Sequence, residues 1–323
     1  MKSYEQLKKW RADNIYKVSM DHQKLNAFHD ELMKQIVHTA LEKVKSESGL
    51  PPAHFAFFLM GSAGRAEQAI WSDQDHGIIF DGDKKDEQYF LKLGSEISEG
   101  FAICGYELCE GNVMASNPLW CKSLVDWEKQ ILNWFDEDSW TSIRNFTIFF
   151  DSRVLVGKHK LLEQLKEIAF NKLSHEKHLM NRLIDNVGRI KKTLGVFGQF
   201  LPEQYGEHAG AIHLKHAVFF PYVNALRLLA IYERVSDPST LARFQKLPSN
   251  YDHSLKLYRR DFNNLLDFRL RSFENAKDYH DVHYLNIKSL SKSEREALKV
   301  IVKRGIKLFN ETKLVIEKRG KNV

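Results

Sequence analysis

Asp73 and Asp75 stand two residues apart, and ten residues separate them from the pair Gly61-Ser62. Side chains at i and i+2 of a strand point the same way, so the two carboxylates are expected to share one side and Gln74 to face the other. Two like charges held together repel, and a divalent cation satisfies both. Magnesium is the default, because it takes one or two protein carboxylates and completes its shell from phosphate and water. Gly61 permits a backbone shape or a close approach that a Cβ obstructs. Amides at this turn, and at the start of a helix expected from about Gly64, would point at an anion. Ser62 adds a hydroxyl, and Arg65 a planar cationic fork. The set amounts to a phosphate cradle beside a metal-binding acidic edge, which is what nucleotidyl transfer needs.

Taken singly, each piece has a plainer reading. A Gly-Ser pair is usually a turn, an Asp-x-Asp can be a solvated strand end, and Arg65 and Glu67 can be an ordinary helix surface. The order apolar strand, Gly-Ser, helix, Asp-x-Asp, apolar strand within residues 58–80 is what favours chemistry. His76 adjoins the acidic pair and can either touch a nucleotide or make a structural hydrogen bond. His213 with His216, and His280 with His283, have the spacing of ligand pairs on a helix but lack a defined third ligand. Trp120, Trp127 and Trp134 recur every seven residues, as a packed helix face requires, with a base-stacking platform as the lesser reading. Cys104, Cys109 and Cys121 match no zinc spacing and show no nucleophile–base pattern.

The elements that must position these residues follow from periodicity. An amphipathic helix covers 21–46, ended by Gly49, Pro51 and Pro52. Phe55 to Met60 and Ile78 to Phe80 read as buried strands, followed by a helix over about 86–100 and another carrying Leu124, Trp127, Ile131 and Trp134. Phe146 to Phe150 is short enough to be strand or helix. Beyond residue 160 the pattern is helical. Ile212 to Ala230 forms one apolar stripe with a kink or restart at Pro221, and Ser291 with Glu294 reads as a capping box for the last helix. The fold class is α+β: an N-terminal helical segment (1–49), a small mixed-sheet domain (50–160) and a helical bundle (165–320).

A chain of 323 residues with 43% hydrophobic and 28% charged residues can bury a core, which argues against a disordered polymer. Its apolar runs are too short to span a bilayer. Three cysteines and a start without an apolar stretch predict a reducing cytoplasm. Charge is split unevenly, with 19 lysines and arginines against 24 acids in residues 1–160 and 29 against 18 in 161–323. The basic half could face an acidic or regulatory protein acceptor, a nucleotide phosphate or nucleic acid, or simply be a solvated surface. The arginines at 259, 260, 269 and 271 lack the spaced aromatics of a nucleic-acid module, so nucleic acid is the weaker partner.

The Gly-Ser-x10-Asp-x-Asp arrangement resembles the DNA polymerase β-like nucleotidyltransferase superfamily. The strings Gly61-Ser62-Ala63-Gly64-Arg65-Ala66-Glu67 and Ser72-Asp73-Gln74-Asp75-His76-Gly77 are similar to one branch. That branch contains the uridylyltransferases of the nitrogen-regulatory PII protein and the related DUF294-type nucleotidyltransferases often fused to CBS domains. Gly111 to Ala115, Asn117-Pro118-x-Trp120, Phe149 to Arg153 with Gly157, Ile212 to Lys215 and Ala225 to Arg227 extend the likeness over roughly 20–320.

The resemblance implies that Gly61 and Ser62 hold nucleotide phosphates, that Arg65 lies near them, and that Asp73 and Asp75 bind Mg2+. A third carboxylate often completes such sites; Asp151 is the first candidate and is counted with the catalytic set, ahead of Glu107 and Glu110. His213 stands where similar proteins carry an acid. The expected function is magnesium-dependent transfer of a nucleoside monophosphate from an NTP to an acceptor hydroxyl, on a protein if the uridylyltransferase likeness extends that far. The alternative is an inactive nucleotide-binding or protein-interaction module of the same fold.

Overall fold

The computed structural model describes residues 2–321 except 274, 275, 277 and 280, so His280 of the second histidine pair lies outside the described residues. Two compact units divide between His175 and Glu176.

The first unit opens with helices α1 (Tyr4–Asn14) and α2 (His22–Ser48). Ser3 and Gln6 form a capping box on α1, and the Asp21 carboxylate accepts from the amides of Gln23 and Lys24 at the start of α2. Gly49, at φ +84°, ends α2 in a backbone region that other residues rarely enter. There follow β1 (His54–Leu59), a single helical turn α3 (Gly61–Gly64), β2 (His76–Asp81), α4 (Glu87–Ile103) and β3 (Cys121–Ser123). Helices α5 (Leu124–Glu137) and α6 (Trp140–Phe150), strand β4 (Arg153–Gly157) and helix α7 (His159–His175) complete it. Helices α1 and α2 belong to the same compact unit as the sheet.

The sheet order is β3-β2-β1-β4, with β1 antiparallel to β2 and β4, and β2 parallel to β3. Both faces of β1 are covered, so its sequence is continuously apolar rather than alternating. Phe57 packs into a core with Leu32, Ile36, Leu93 and Phe101 from α2 and α4. Phe58 turns the other way, onto Trp127 of α5 and Phe149 of α6, at ring separations of 5.8 and 6.2 Å. Trp120, Trp127 and Trp134 are all buried with rings about 6 Å apart, and Trp127 Nε1 donates to Ile78 O at 2.9 Å. They are core, as their period suggests.

Phe146–Phe150 is the end of helix α6, and the strand of this region is the later Arg153–Gly157. The helix expected from about Gly64 is absent. Only the turn Gly61–Gly64 is helical, after which residues 65–75 run irregularly with Ala66 at φ +55°. The chain must reverse into β2, and Arg65 is drawn inward to carboxylates instead of lying along a helix surface.

The second unit contains α8 (His178–Val187), β5 (Ala211–His213), α9 (Phe220–Tyr232), α10 (Thr240–Lys246), α11 (Asp252–Ser272), β6 (Tyr284–Asn286) and α12 (Lys292–Lys321). The stripe expected over Ile212 to Ala230 is broken: its start is strand β5, a π-helical turn spans Lys215–Phe219, and α9 restarts with Pro221 in its first turn. Proline is tolerated there because the first-turn amides have no intrahelical acceptor. Residues 221–231 of α9 are all buried, making it the centre of the bundle. Tyr222 Oη donates to Ile301 O of α12 at 2.8 Å, and Gly305 leaves the room its ring needs. The box at Ser291 and Glu294 forms: the Glu294 amide donates to Ser291 Oγ at 3.2 Å and the Ser291 amide to Glu294 Oε2 at 2.8 Å. No helix among the described residues is long and apolar enough to cross a membrane.

Candidate active site

Register brings the Gly-Ser turn and the acidic pair together. Leu59 at the end of β1 pairs with His76 at the start of β2, and the Met60 amide donates to Asp75 O at 2.8 Å. The next residue, Gly61, has φ +56°, and a Cβ there would lie 2.0 Å from Asp75 Oδ2. Glycine is needed on both counts: for its left-handed backbone and because the carboxylate rests against its Cα. The first helical bond of the turn is from Gly64 N to Met60 O, which leaves the amides of Gly61, Ser62 and Ala63 outside the helical ladder. Ser62 Oγ lies 3.4 Å from Ser72 Oγ, to which Gln68 Nε2 donates at 3.3 Å.

Asp73 and Asp75 are partly exposed while Gln74 between them is buried, the alternation of an extended segment. His76 faces the interior with Gln74. Its Nδ1 accepts from the Ala115 amide at 3.1 Å, so Nε2 carries the proton given to Gln74 Oε1 at 2.9 Å. Burial pushes its pKa down to about 3, and this neutral imidazole makes the structural hydrogen bond of the two readings open to it.

A buried ionic cluster supports the turn from behind. Arg65 donates from Nε to Glu67 at 2.7 Å and from Nη1 to Asp151 at 2.9 Å. Burial works against the guanidinium charge, but the two carboxylates outweigh it and raise the Arg65 pKa. Gly64 packs on the backbone of Asp151, where a Cβ would lie 1.9 Å from its carbonyl oxygen. Arg153 donates to Ala63 O at 3.0 and 2.8 Å and forms a fork onto Asp30 of α2. Residues 151–153 therefore clamp Gly61–Gly64 on its inner side.

The N-terminal helices hold the following loop. Asn26 Oδ1 accepts from the Gln68 amide at 2.9 Å, and Arg11 Nη2 donates to Ile70 O at 2.9 Å. His29 donates from Nε2 to Ala69 O at 3.0 Å and accepts at Nδ1 from the Tyr106 hydroxyl at 2.8 Å.

Asp73, Asp75 and Cys109 each offer a ligand atom, all within 4.8 Å of one another, and they are the one such group found among the described residues. Asp151 sits with Arg65 and Glu67 and does not join them. Glu107 contributes its backbone: Gln74 N donates to Glu107 O at 3.0 Å, and Glu107 N to Ser72 O at 3.2 Å. Burial pushes the Cys109 thiol up to about 12, aided by Asp75, to which it hydrogen-bonds, and by Asp73. The donor set could hold a divalent cation, since two carboxylates on one side invite positive charge and the sulfur beside them can ligate once its proton is lost.

Residues 9–140 match the family model described as Putative nucleotidyltransferase DUF294. Residues 177–314 match a second model, Putative nucleotidyltransferase substrate binding domain. The chain carries DUF294 nucleotidyltransferase-like domains. No curated protein matches it.

The first DUF294 match contains Gly61, Ser62, Arg65, Asp73, Asp75 and Cys109, and ends before Asp151. Sequence reasoning passed over Cys109, having tested the three cysteines against zinc spacings and as nucleophiles and not against the acidic pair. A signal existed, because it lies two residues after Glu107 as Asp75 lies two after Asp73, but the bridge between these segments was not readable locally. An open cleft of about 1280 Å3, lined by His54, Asp81, Asp83 and Lys158 among others, lies at the opposite ends of β1 and β2 from the acidic pair.

In the second unit, His213 stacks on His283 at 5.7 Å and meets His216 edge-on at 4.2 Å. Burial, then His216 and His283, lower the His213 pKa to about 3. These rings gather at the end of β5, in the π-helical turn and just before β6, and no group of three metal ligands was found there among the described residues.

Proposed function

We propose that this DUF294 chain transfers a nucleoside monophosphate from an NTP to an acceptor hydroxyl. The observation that carries the proposal is the placement of Asp75 against the Gly61 turn with Asp73 on the same side. The acceptor oxygen forms a bond to the α-phosphorus, the bond to the β-phosphate oxygen breaks, pyrophosphate leaves, and the acceptor proton is released. Asp73 and Asp75 would hold a divalent cation, for which the sequence alone predicts magnesium. When bound, such an ion neutralises charge on the triphosphate and lowers the barrier to departure of pyrophosphate.

The chain's own residues bind and orient. Amides of Gly61, Ser62 and Ala63 with the Ser62 hydroxyl grip phosphate oxygens. Arg65 and Asp151 act one step removed, fixing the turn through their ion pair rather than touching the nucleotide. The basic second half, residues 161–323, would attract the triphosphate or an acidic protein acceptor.

A second reading has its own support. Among the described residues no third carboxylate joins Asp73 and Asp75, which favours a module that binds nucleotide without turnover. Incubation with each labelled NTP, Mg2+ and a cell extract separates the two. Label retained covalently on a macromolecule, and lost in Asp73→Ala and Asp75→Ala, supports transfer. Saturable binding with no product supports the module, and neither result leaves the nucleotide reading without foundation.

A further inference from the structure

We infer that the cation position at Asp73 and Asp75 is a mixed oxygen–sulfur site with Cys109 as a third ligand, taking a thiophilic divalent ion such as Mn2+, Co2+ or Cd2+ in preference to Mg2+. The inference rests on the proposed cation at the acidic pair and deepens it by naming the class of ion.

Three observations support it. First, the parallel bridge between Asp73 and Glu107 runs the two segments side by side, so residue 109 falls beside residue 75. Second, the three ligand atoms already lie within 4.8 Å of one another. Metal–oxygen and metal–sulfur bonds of about 2.0–2.3 Å put ligand atoms on one ion at most about 4.5 Å apart, so little movement is needed. Third, the backbone that carries the thiol is held in place: the Asn112 amide donates to Cys109 O at 2.8 Å, with Asn112 at φ +54° closing the turn.

A magnesium ion gains little from a sulfur ligand, whereas softer divalent ions bind thiolate and carboxylate together. On coordination the sulfur–metal bond forms and the thiol proton leaves to solvent, with no change of oxidation state.

Cys104 and Cys121 are fully buried in the core and serve as internal controls. The test is titration of the full chain with Cd2+ and with Co2+, read as the thiolate-to-metal absorption band. One saturable equivalent is expected in the wild type, in Cys104→Ser and in Cys121→Ser. Cys109→Ser should abolish the band. It should also weaken Cd2+ binding by more than the ~10–100-fold that loss of an outer-shell partner alone causes.

Asp73→Asn, which keeps the thiol, should weaken the titration without moving the band, and circular dichroism checks that each variant is folded. No band, or a band indifferent to Cys109→Ser, overturns the inference. Labelled-NTP binding, measured with Mn2+ as well as with Mg2+, distinguishes the two failures. A Cys109-dependent band without nucleotide binding leaves the metal site standing and the transferase reading fallen, and nucleotide binding without a band does the reverse.

Discussion

Gly61 concentrates the demands of the site in one residue. Gly61→Ala places a Cβ where Asp75 Oδ2 now lies, in a backbone that costs an L-residue roughly 1–2 kcal/mol. The carboxylate must move, so the variant should lose cation and nucleotide affinity together while the chain stays folded. Isothermal titration beside a urea melt would show this, and unchanged nucleotide affinity would remove Gly61 from the cradle. Asp73→Asn and Asp75→Asn retain shape and remove charge. Each should lower transfer by ~100-fold or more, as expected if a bound ion supplies several kcal/mol, with a much smaller effect on metal-free nucleotide binding. Wild-type turnover in either variant would end the proposed metal role.

The link from α6 into β4 matters because of what its residues hold. Asp151 and Arg153 grip Arg65 and Ala63 O from the inner side of the turn, an arrangement in which position depends on a buried ion pair. Breaking a buried pair from one side costs up to about 3–5 kcal/mol, and Glu67, which stays on Arg65 Nε, keeps the loss here below that ceiling. Asp151→Ala should therefore lower the denaturation midpoint sharply, and its turnover should fall with the folded fraction when assayed near the transition. A variant that is fully stable yet inactive would instead place Asp151 in contact with the reacting groups. Arg153→Ala loses the contacts to Ala63 O and Asp30 and should loosen the Gly61–Gly64 turn, read as faster amide hydrogen exchange at residues 61–65.

Across the first unit, acid sensitivity follows in part from His29, with the buried His76 adding its own share. Burial, and secondarily Arg11, lower the His29 pKa to about 3, against about 6.5 for an unfolded histidine. Between those values the unfolded chain binds the proton and the folded chain does not, so stability rises with pH and is lost as pH falls through this window. The slope from this residue is at most ~1.4 kcal/mol per pH unit, or roughly 2 kcal/mol between pH 6.5 and 5. Urea midpoints over that range should show it, and His29→Gln should flatten the dependence; an identical slope in the variant would assign it elsewhere. The loss should reach the site, because His29 and Arg11 hold the loop carbonyls of Ala69 and Ile70 that precede Asp73.

Local sequence determined much of this protein. Continuous apolar runs wrote β1 and β2, prolines and Gly49 ended α2, and Ser291 with Glu294 opened α12. Spacing alone placed Asp73 and Asp75 on one side with Gln74 behind them, because strand geometry repeats every two residues. The α+β class with a following helical bundle was legible for the same reason. Tertiary structure decided what distant segments do to one another. It turned Arg65 inward to Glu67 and Asp151 where a helix surface was expected, carried Phe146–Phe150 into a helix, and split the Ile212 stripe between a strand and a restarted helix. It also set Cys109 beside Asp75. Backbone pairing between residues 72–74 and 107 is a contact across more than thirty positions, and no short period in the sequence records it.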